Sequence, residues 1–362
     1  MNVLHLCSEE SWRGGEQQIA YLIEELRLLG VSSTVAVKSD SAFEKYCGEK
    51  AIPFFTLGFK NDFDFLSAIK LNVECKKKKF DIIHLHSSRA HGIAFLSSMI
   101  GNKVPMVLSR RVDFELKKNW FSKAKYNADA IRKIICVSDK VKEIVSRTIA
   151  HPEKCMIVYD GIDLNRFAGK GVKGKIREEF GISDDEVIIG NVAALAPHKD
   201  YFTFLETAKI LSSKIKAKFL IAGNGPMKSK IENRIRELDL GSHVIMLGFR
   251  SDLESIYADL DVLLFTSQEE GLGSSILDAF ACRVPVVSTN AGGIPEIVIN
   301  EVTGLSAPVK DSTLLALNVQ RLISNVSLHD KIVNEAAKRV VNFSKENMAL
   351  RTLDVYNEVL SH

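Results

Sequence analysis

The chain has few cysteines, no long hydrophobic run and almost no net charge, and each shortage excludes a class of protein. Its six cysteines show no paired spacing, so we expect reduced thiols in a cytoplasmic protein and no disulfide framework. No apolar run approaches the ~20 residues that a membrane-spanning helix needs. With 48 basic and 45 acidic residues, the net charge of +3 indicates no nucleic-acid partner.

Two kinds of binding motif are missing as well. No glycine fingerprint G-x-G-x-x-G follows a predicted strand, which argues against a nicotinamide-dependent dehydrogenase. No Asp-x-Asp motif or histidine cluster is apparent in the loops directly after the strands predicted below, so nothing in the sequence argues for a metal or another cofactor.

Short apolar runs alternate with amphipathic stretches along the chain. This alternation predicts parallel, doubly wound sheets, and 362 residues suit two α/β domains. We predict strands at residues 2–7, 34–37, 81–86, 104–109, 133–138, 186–193, 217–223, 243–249, 261–265 and 284–289. Ligands of such folds bind beyond the carboxyl ends of the strands, so a cleft between the two sheets is the expected site.

The alternation pauses over residues 157–175, which hold four glycines and are typical of a linker. We therefore place the first domain at 1–165 and the second at 166–343. A final helix is predicted over 344–361.

Several loops that follow predicted strands could bind a phosphate. Gly14 and Gly15 would let backbone amides approach a ligand, although a plain tight turn explains them equally well. Gly223 stands in a similar turn. Lys199 precedes a predicted helix, where its charge opposes the helix dipole; a ligand phosphate would offset that cost, and a solvated surface lysine is the alternative.

The stretch EEGLGSSILDAF, residues 269–280, places acids on both sides of a glycine-rich helix start. The acids could simply complement the positive end of the helix. Alternatively, the amides of Gly271 and Gly273 hold a phosphate, while Glu270 and Asp278 accept hydrogen bonds from hydroxyls on either side of it. A nucleotide sugar has this layout of sugar hydroxyls, diphosphate and ribose hydroxyls.

The stretch continues as EEGLGSSILDAFACRVPVVSTNAGGIPEIV, which closely resembles the nucleotide-sugar signature of glycosyltransferase family 4, retaining enzymes of the GT-B fold. IVYDGIDLNRF (157–167), AGNGPMKSKIE (222–232) and VIMLGFRSDLESIYADLDVLLFTS (244–267) resemble the same family in the same order, and WRGGEQQ resembles its first glycine loop. The likeness is strongest over 157–305 and weaker in the N-terminal half.

The resemblance implies roles for these residues. Glu270 would contact the donor sugar, Asp278 the ribose hydroxyls and Lys199 the donor diphosphate, and Glu270 and Lys199 are our catalytic candidates. The Gly14–Gly15 loop would close against the phosphate and the acceptor. The remaining donor-binding candidates are Gly223, Gly271, Leu272, Gly273 and Ser274. The last helix, within 344–362, would pack back on the first domain.

The sequence departs from the family pattern in three places. The second motif acid is Asp278, which is one methylene shorter than the usual glutamate. Ala194 stands where the family often has an arginine. Near residue 110, where relatives often show a histidine, the chain reads LSRRVDF. Arg110, Arg111 or Arg250 could supply the missing positive charge to a phosphate or acceptor, and each could equally be an ordinary surface arginine.

The resemblance implies transfer of a sugar from a nucleotide diphosphate sugar to a hydroxyl acceptor without an obligatory metal, and we expect a lipid-linked or lipopolysaccharide-type glycan as the acceptor. An epimerase or phosphorylase of the same fold remains open, as does a catalytically silent scaffold that binds a partner. The segment 110–133 holds eight basic and three acidic residues, with Trp120 and Phe121 among them. It predicts peripheral contact with an anionic membrane at its cytoplasmic face, to which 75–79 adds lysines; a solvated helix face is the alternative.

Overall fold

The computed structural model describes residues 1–116, 119–167 and 171–361. They form two compact units, of which unit 1 contains Met1–Gly161 together with Lys345–His362, and unit 2 contains Ile162–Ser344. The predicted linker over 157–175 includes this division, and its residues 168–170 lie outside the described part of the chain.

Unit 1 is a parallel sheet of seven strands with helices on both faces. The strand order is β3-β2-β1-β4-β5-β6-β7, so the order reverses between β1 and β4. The strands are β1 (Asn2–Cys7), β2 (Ser32–Lys38), β3 (Phe54–Leu57), β4 (Ile82–Leu85), β5 (Met106–Arg110), β6 (Ile131–Cys136) and β7 (Cys155–Ile157). The helices are α1 (Gly14–Leu28), α2 (Ala42–Glu49), α3 (Phe65–Lys78), α4 (Ser88–Met99), α5 (Trp120–Asn127) and α6 (Asp139–Ser146).

Unit 2 repeats this architecture with six parallel strands in the order β10-β9-β8-β11-β12-β13. Its strands are β8 (Val187–Val192), β9 (Ala217–Ala222), β10 (Val244–Gly248), β11 (Val262–Phe265), β12 (Val286–Thr289) and β13 (Leu305–Ala307). Its helices are α7 (Leu164–Phe167), α8 (Lys175–Phe180), α9 (Tyr201–Ser212), α10 (Lys228–Glu237), α11 (Leu253–Asp259), α12 (Ser274–Ala281), α13 (Ser312–Ser324) and α14 (Val326–Val340). The predicted pair of doubly wound parallel sheets is confirmed.

The central strands are apolar on both faces because helices cover both sides of each sheet. In β1, Val3, Leu4 and Leu6 are all fully buried, and Leu22 and Leu26 of α1 pack in one cluster with Val3. All ten predicted strands are present. The sequence reading missed β3, β7 and β13, which are three or four residues long and lie at or next to a sheet edge.

The last helix, α15 (Lys345–Leu360), completes the core of unit 1. Its apolar face, with Met348, Ala349 and Val355, joins one cluster with Tyr21 and Leu22 of α1. A buried hydrogen bond of 2.6 Å links the Tyr356 hydroxyl to Nδ1 of His84 on β4.

The basic segment 110–133 does not form the single face that the sequence suggested. It runs through the end of β5, a loop, α5 and the start of β6. Phe121 and Lys125 are buried, while Trp120 is 73% exposed, and residues 117–118 lie outside the described part. Elsewhere, all six cysteines are free thiols, and no helix among the described residues has the length and hydropathy to span a bilayer.

Replacing Tyr356 with phenylalanine tests how firmly α15 is held. The change keeps the ring but leaves a buried nitrogen of His84 without its partner, which costs about 1–3 kcal/mol of unfolding free energy. Tyr46→Phe is the matched control, because the Tyr46 hydroxyl bonds Glu24 at a half-buried site where water can replace it. Urea unfolding of both variants measures the difference. Equal losses would mean that the Tyr356 bond does not stabilise the docking of α15.

Candidate functional site

Lys199 and Glu270 meet at the carboxyl edge of the unit 2 sheet. Lys199 follows β8 and Glu270 follows β11, the two strands between which the strand order reverses. Such switch points open a crevice for ligands in doubly wound sheets. The Lys199 ammonium forms an ion pair with Oε2 of Glu270, and both side chains are largely shielded, at 14% and 13% exposed.

The surroundings of Lys199 show how the protein itself balances the charge of this side chain. A short 3-10 turn, Pro197–Lys199, precedes α9, and the helix is capped by the side chain of Asp200, which accepts from the Thr203 amide. The Lys199 ammonium also lies 4.9 Å from the centre of the Phe265 ring. The cost of a lysine near a helix start is therefore offset inside the protein by Glu270 and Asp200.

Glu270 is held by the loops around it. The Ser267 hydroxyl donates to Oε2 of Glu270 over 3.1 Å, and the Gly293 amide donates to the Glu270 carbonyl over 2.9 Å. The Gln268 amide donates to the carbonyl of His198 over 2.8 Å. The loops after β8, β11 and β12 are thus joined around the Lys199–Glu270 pair.

Asp278 lies one helical turn inside α12 and is half-buried. Loss of solvent raises the pKa of its carboxyl to about 7; the charge of Glu254 adds to the rise, and Arg166 opposes it. No hydrogen bond joins its carboxyl to another group within the described ranges. A half-buried carboxyl in this state is suited to accept hydrogen bonds from a ligand.

The start of α12 has the backbone that the sequence led us to expect. Gly273 adopts a φ of 101°, which favours glycine, and it is the residue before the helix. Gly271 and Leu272 are buried beside it, and Ser274 is the first helical residue.

Gly223 is fixed by its neighbours. A Cβ at Gly223 would lie 1.9 Å from the Ala193 carbonyl oxygen, so no other residue fits there. Gly225, which we had not singled out, is similarly tight, because its Cβ would lie 2.5 Å from the Leu195 carbonyl oxygen. The loops after β8 and β9 therefore touch backbone to backbone, on either side of Ala194.

Gly14 and Gly15 begin α1, at the switch point of the unit 1 sheet. A Cβ at either position would meet no atom of residues 1–116, 119–167 or 171–361 within 4 Å. Packing among the described residues therefore does not require a glycine at either position, and the approach of a ligand to their amides stays a prediction.

The three candidate arginines have different partners. Arg110 donates to the Phe114 carbonyl. Arg111 pairs with Asp160 at 2.9 Å, and its Nη1 lies 3.4 Å from Nδ1 of His86. Burial raises the pKa of Asp160, and the Arg111 charge partly opposes that rise.

Arg250 is bound to two carboxylates, with contacts of 2.6 and 2.9 Å to Glu179 and 2.8 Å to Asp252. These contacts raise the pKa of Arg250 and lower that of Asp252. Because Arg250 already has four charge-assisted hydrogen bonds, it is a weaker phosphate candidate than Arg111.

A histidine cluster was missed by the sequence reading. His5, His84 and His86 hold ligand atoms within 4.8 Å of one another, and they are the group within the described ranges that could hold a metal. The sequence shows three histidines within two predicted strands, but the register that sets His5 on β1 beside His84 on β4 comes from the sheet. Both ring nitrogens of His84 are already hydrogen bonded, and Arg111 faces His86, so the site does not favour a cation.

Comparison with known proteins shows which family the chain belongs to. The family model "Glycosyl transferases group 1" matches residues 172–339, and the model "Glycosyltransferase Family 4" matches residues 12–166. Together the two matches take in most of both units. The chain therefore belongs to the glycosyltransferase family that these two models describe.

Two curated relatives of this glycosyltransferase have names that mention different molecules, L-malate in one and a diphosphoundecaprenol-linked sugar in the other. It is 26% identical over 305 residues to N-acetyl-alpha-D-glucosaminyl L-malate synthase of Bacillus anthracis, covering 82% of this chain and 80% of that protein. It is 26% identical over 295 residues to UDP-Gal:alpha-D-GlcNAc-diphosphoundecaprenol alpha-1,3-galactosyltransferase of Escherichia coli, covering 77% and 74%.

Among solved structures, HepE of Anabaena in complex with UDP and glucose superposes with a TM-score of 0.84. The match covers 99% of this chain and 100% of that one at 19% identity. The likeness shows the fold, and the predicted GT-B class of two parallel-sheet α/β domains is confirmed for this glycosyltransferase.

The pKa of Asp278 predicts a specific pH dependence of stability. Its folded value of about 7 lies above the ordinary 3.8, so between these values the native state binds more protons than the unfolded state, and stability falls as pH rises. Asp278→Asn removes this loss. We expect the variant to gain about 1–3 kcal/mol relative to the native protein between pH 5 and pH 8.

Urea unfolding at both pH values measures this gain. Asp252→Asn is the control, because the lowered pKa of Asp252 keeps it ionised throughout that range in both states. An Asp278→Asn offset that is the same at pH 5 and pH 8 would contradict the raised pKa.

Proposed function

We propose that the protein is a retaining glycosyltransferase that moves a sugar from a nucleotide diphosphate sugar to a hydroxyl of a lipid-linked or lipopolysaccharide-type glycan. The observation that carries the proposal is the Lys199–Glu270 pair at the switch point of unit 2. A cation, a carboxylate and a glycine-bearing helix start meet there. A diphosphate, sugar hydroxyls and ribose hydroxyls would find complementary groups within this one unit.

In this proposal each group of the site binds a different part of the nucleotide-sugar donor. Lys199 and the amides at the start of α12 bind the diphosphate, since both present positive charge. Glu270 accepts hydrogen bonds from the sugar, and Asp278 from the ribose. No metal or other cofactor is required, because Lys199 and the amides supply the positive charge.

The reaction exchanges one carbon–oxygen bond for another. The bond from the anomeric carbon to the diphosphate breaks, and the leaving nucleoside diphosphate keeps the electron pair. The acceptor oxygen bonds the same face of that carbon, and its proton passes to an oxygen of the leaving phosphate. Charge grows on the leaving group during this step, so cations and amides already in place lower the barrier.

The relatives and the thiols support the finer parts of the proposal. Both curated names specify alpha-linked sugars, and an alpha product formed from an alpha-linked donor is retention. The galactosyltransferase is named for a diphosphoundecaprenol acceptor, which favours a lipid-linked glycan here. Six free thiols, five of them buried, suit a reaction in the cytoplasm at the inner face of the membrane.

A panel of UDP-, GDP- and ADP-linked sugars, screened for donor hydrolysis without added phosphate, tests the function. We expect one donor class to release nucleoside diphosphate and free sugar slowly, and Lys199→Ala to abolish the release. Lys216→Ala is the matched control, because Lys216 pairs with Asp185 at the surface. A protein that binds and hydrolyses none of the panel is not the proposed enzyme. Release only with phosphate would indicate a phosphorylase, and an isomerised donor an epimerase.

Glu270→Gln and Asp278→Asn should impair transfer in different ways. Glu270 faces the sugar, where bonds change, so its loss should lower kcat and leave the donor KM nearly unchanged. Asp278 faces the ribose, far from the chemistry, so its loss should raise the donor KM with kcat mostly kept. A hydrogen bond to a charged group contributes about 1.5–3 kcal/mol, which is roughly ten- to over a hundredfold.

Steady-state kinetics with varied donor measure both variants, after thermal melts have shown that they are folded. The reverse pattern, in which Asp278→Asn abolishes kcat at saturating donor and Glu270→Gln only shifts KM, would show that the two roles are exchanged.

Transfer should also survive removal of divalent cations. Lys199 and the α12 amides provide the charge that a metal supplies in other transferases, so excess chelator should leave the rate nearly unchanged. Activity that disappears with chelator and returns with magnesium or manganese would refute this account of the leaving group.

A further inference from the structure

Helix α3 of unit 1 carries apolar side chains on its outer face as well as on its inner face. The inner face buries Ala68, Leu71 and Cys75 against the sheet and α4. The outer face exposes Phe65 (56%), Leu66 (74%), Ile69 (51%) and Val73 (42%). These four positions span about 100° at the α-helical spacing, so they form one stripe. A surface helix normally has one apolar stripe, and the second has no partner among the described residues.

Lysines flank this stripe, and acids do not. At the helical spacing, Lys70, Lys76 and Lys77 fall on the same side of the helix as the four apolar residues, and all three are exposed. The one acid of α3, Glu74, lies off the stripe and pairs with Lys78 at 3.4 Å. The face therefore combines apolar side chains with three positive charges.

Two exposed aromatics extend the stripe beyond the helix. Phe63 is 55% exposed, and its ring centre lies 4.5 Å from that of Phe121. The Phe121 ring in turn contacts Trp120, which is 73% exposed. We call the six residues Phe63, Phe65, Leu66, Ile69, Val73 and Trp120 the α3 surface.

The fold holds these side chains outward. Asp62 pairs with the buried Lys125 at 3.2 Å, and its backbone packs so closely on α4 that a Cβ at Gly92 would lie 2.9 Å from it. Asp64 caps α3 by accepting from the Ser67 amide. The exposure of Phe63 and Phe65 is thus set by well-anchored neighbours on both sides.

We infer that the α3 surface docks the protein on an anionic lipid bilayer. Aromatic and aliphatic side chains of an amphipathic helix bury themselves at the boundary of headgroups and acyl chains, and lysines beside them attract anionic headgroups. The chemistry of the α3 surface meets both requirements. This places membrane contact mainly on α3, whereas the sequence had suggested the segment 110–133.

Membrane docking does not depend on the proposed function, but the reason for docking does, because that function requires a lipid-linked acceptor. The helix after a parallel strand begins at the carboxyl edge of the sheet, so Phe63 and Phe65 lie at the same edge of unit 1 as Gly14 and Arg111. A lipid-linked acceptor held in the bilayer would present its glycan at that edge.

Vesicle co-sedimentation of the full chain tests the inference. The vesicles contain either phosphatidylcholine alone or phosphatidylcholine with phosphatidylglycerol. The test variant is Leu66→Glu with Val73→Glu. Its matched control is Leu317→Glu with Val326→Glu, two residues of unit 2 that are 51% and 71% exposed, so that both proteins gain two negative charges. Thermal melts establish that each variant is folded.

We expect the native protein and the control to bind the anionic vesicles, and the α3 variant to bind at least ~tenfold more weakly. Binding by the α3 variant that equals the control, or no binding by the native protein, would overturn the inference. Equal binding to both vesicle types would overturn the role of the anionic headgroups. Donor hydrolysis in solution is measured separately, so a failure of the proposed function is distinguishable from a failure of membrane docking.

Discussion

The ion pair between Lys199 and Glu270 is the interaction on which the organisation of the unit 2 site depends. Pairing two shielded charges repays the cost of removing each from water only when their geometry is fixed. The Thr266 hydroxyl contributes to that geometry, because it donates to the Lys199 carbonyl over 3.1 Å. The loops after β8 and β11 therefore cannot move independently without separating the pair. A diphosphate that bound Lys199 would replace one anionic partner with another and release Glu270 for neutral hydroxyls.

This pairing also explains how acids can stand on both sides of a helix start that would attract an anion. The charge of Glu270 is balanced by Lys199. The charge of Asp278 is reduced in another way, since burial raises its pKa to about 7 and leaves the carboxyl partly protonated at neutral pH. Neither acid thus presents a full uncompensated charge to a phosphate at the start of α12. Both can still accept hydrogen bonds from hydroxyls.

The sequence predicted features that depend on local pattern and missed those that depend on distant contacts. Short apolar runs between amphipathic stretches revealed every central strand, whereas the short edge strands β3, β7 and β13 lacked enough residues to show a period. Lys199 and Glu270 could be identified singly, but their contact joins residues 71 positions apart. The partners of Arg250 were hidden for the same reason, because Glu179 is equally distant in the chain. The outer stripe of α3 needed the burial of its inner face to be recognised.

The buried histidines of unit 1 show how one charge can order a whole polar cluster. Arg111 can only donate, so Nδ1 of His86 accepts and its Nε2 carries the hydrogen. That hydrogen points to Nδ1 of His5 at 3.0 Å, so the hydrogen of His5 lies on Nε2, 3.3 Å from the Ser33 hydroxyl. Burial lowers the pKa of both rings, which keeps them neutral. The hydrogen bonds thus run in one direction and help to hold Arg111 in place after the end of β5.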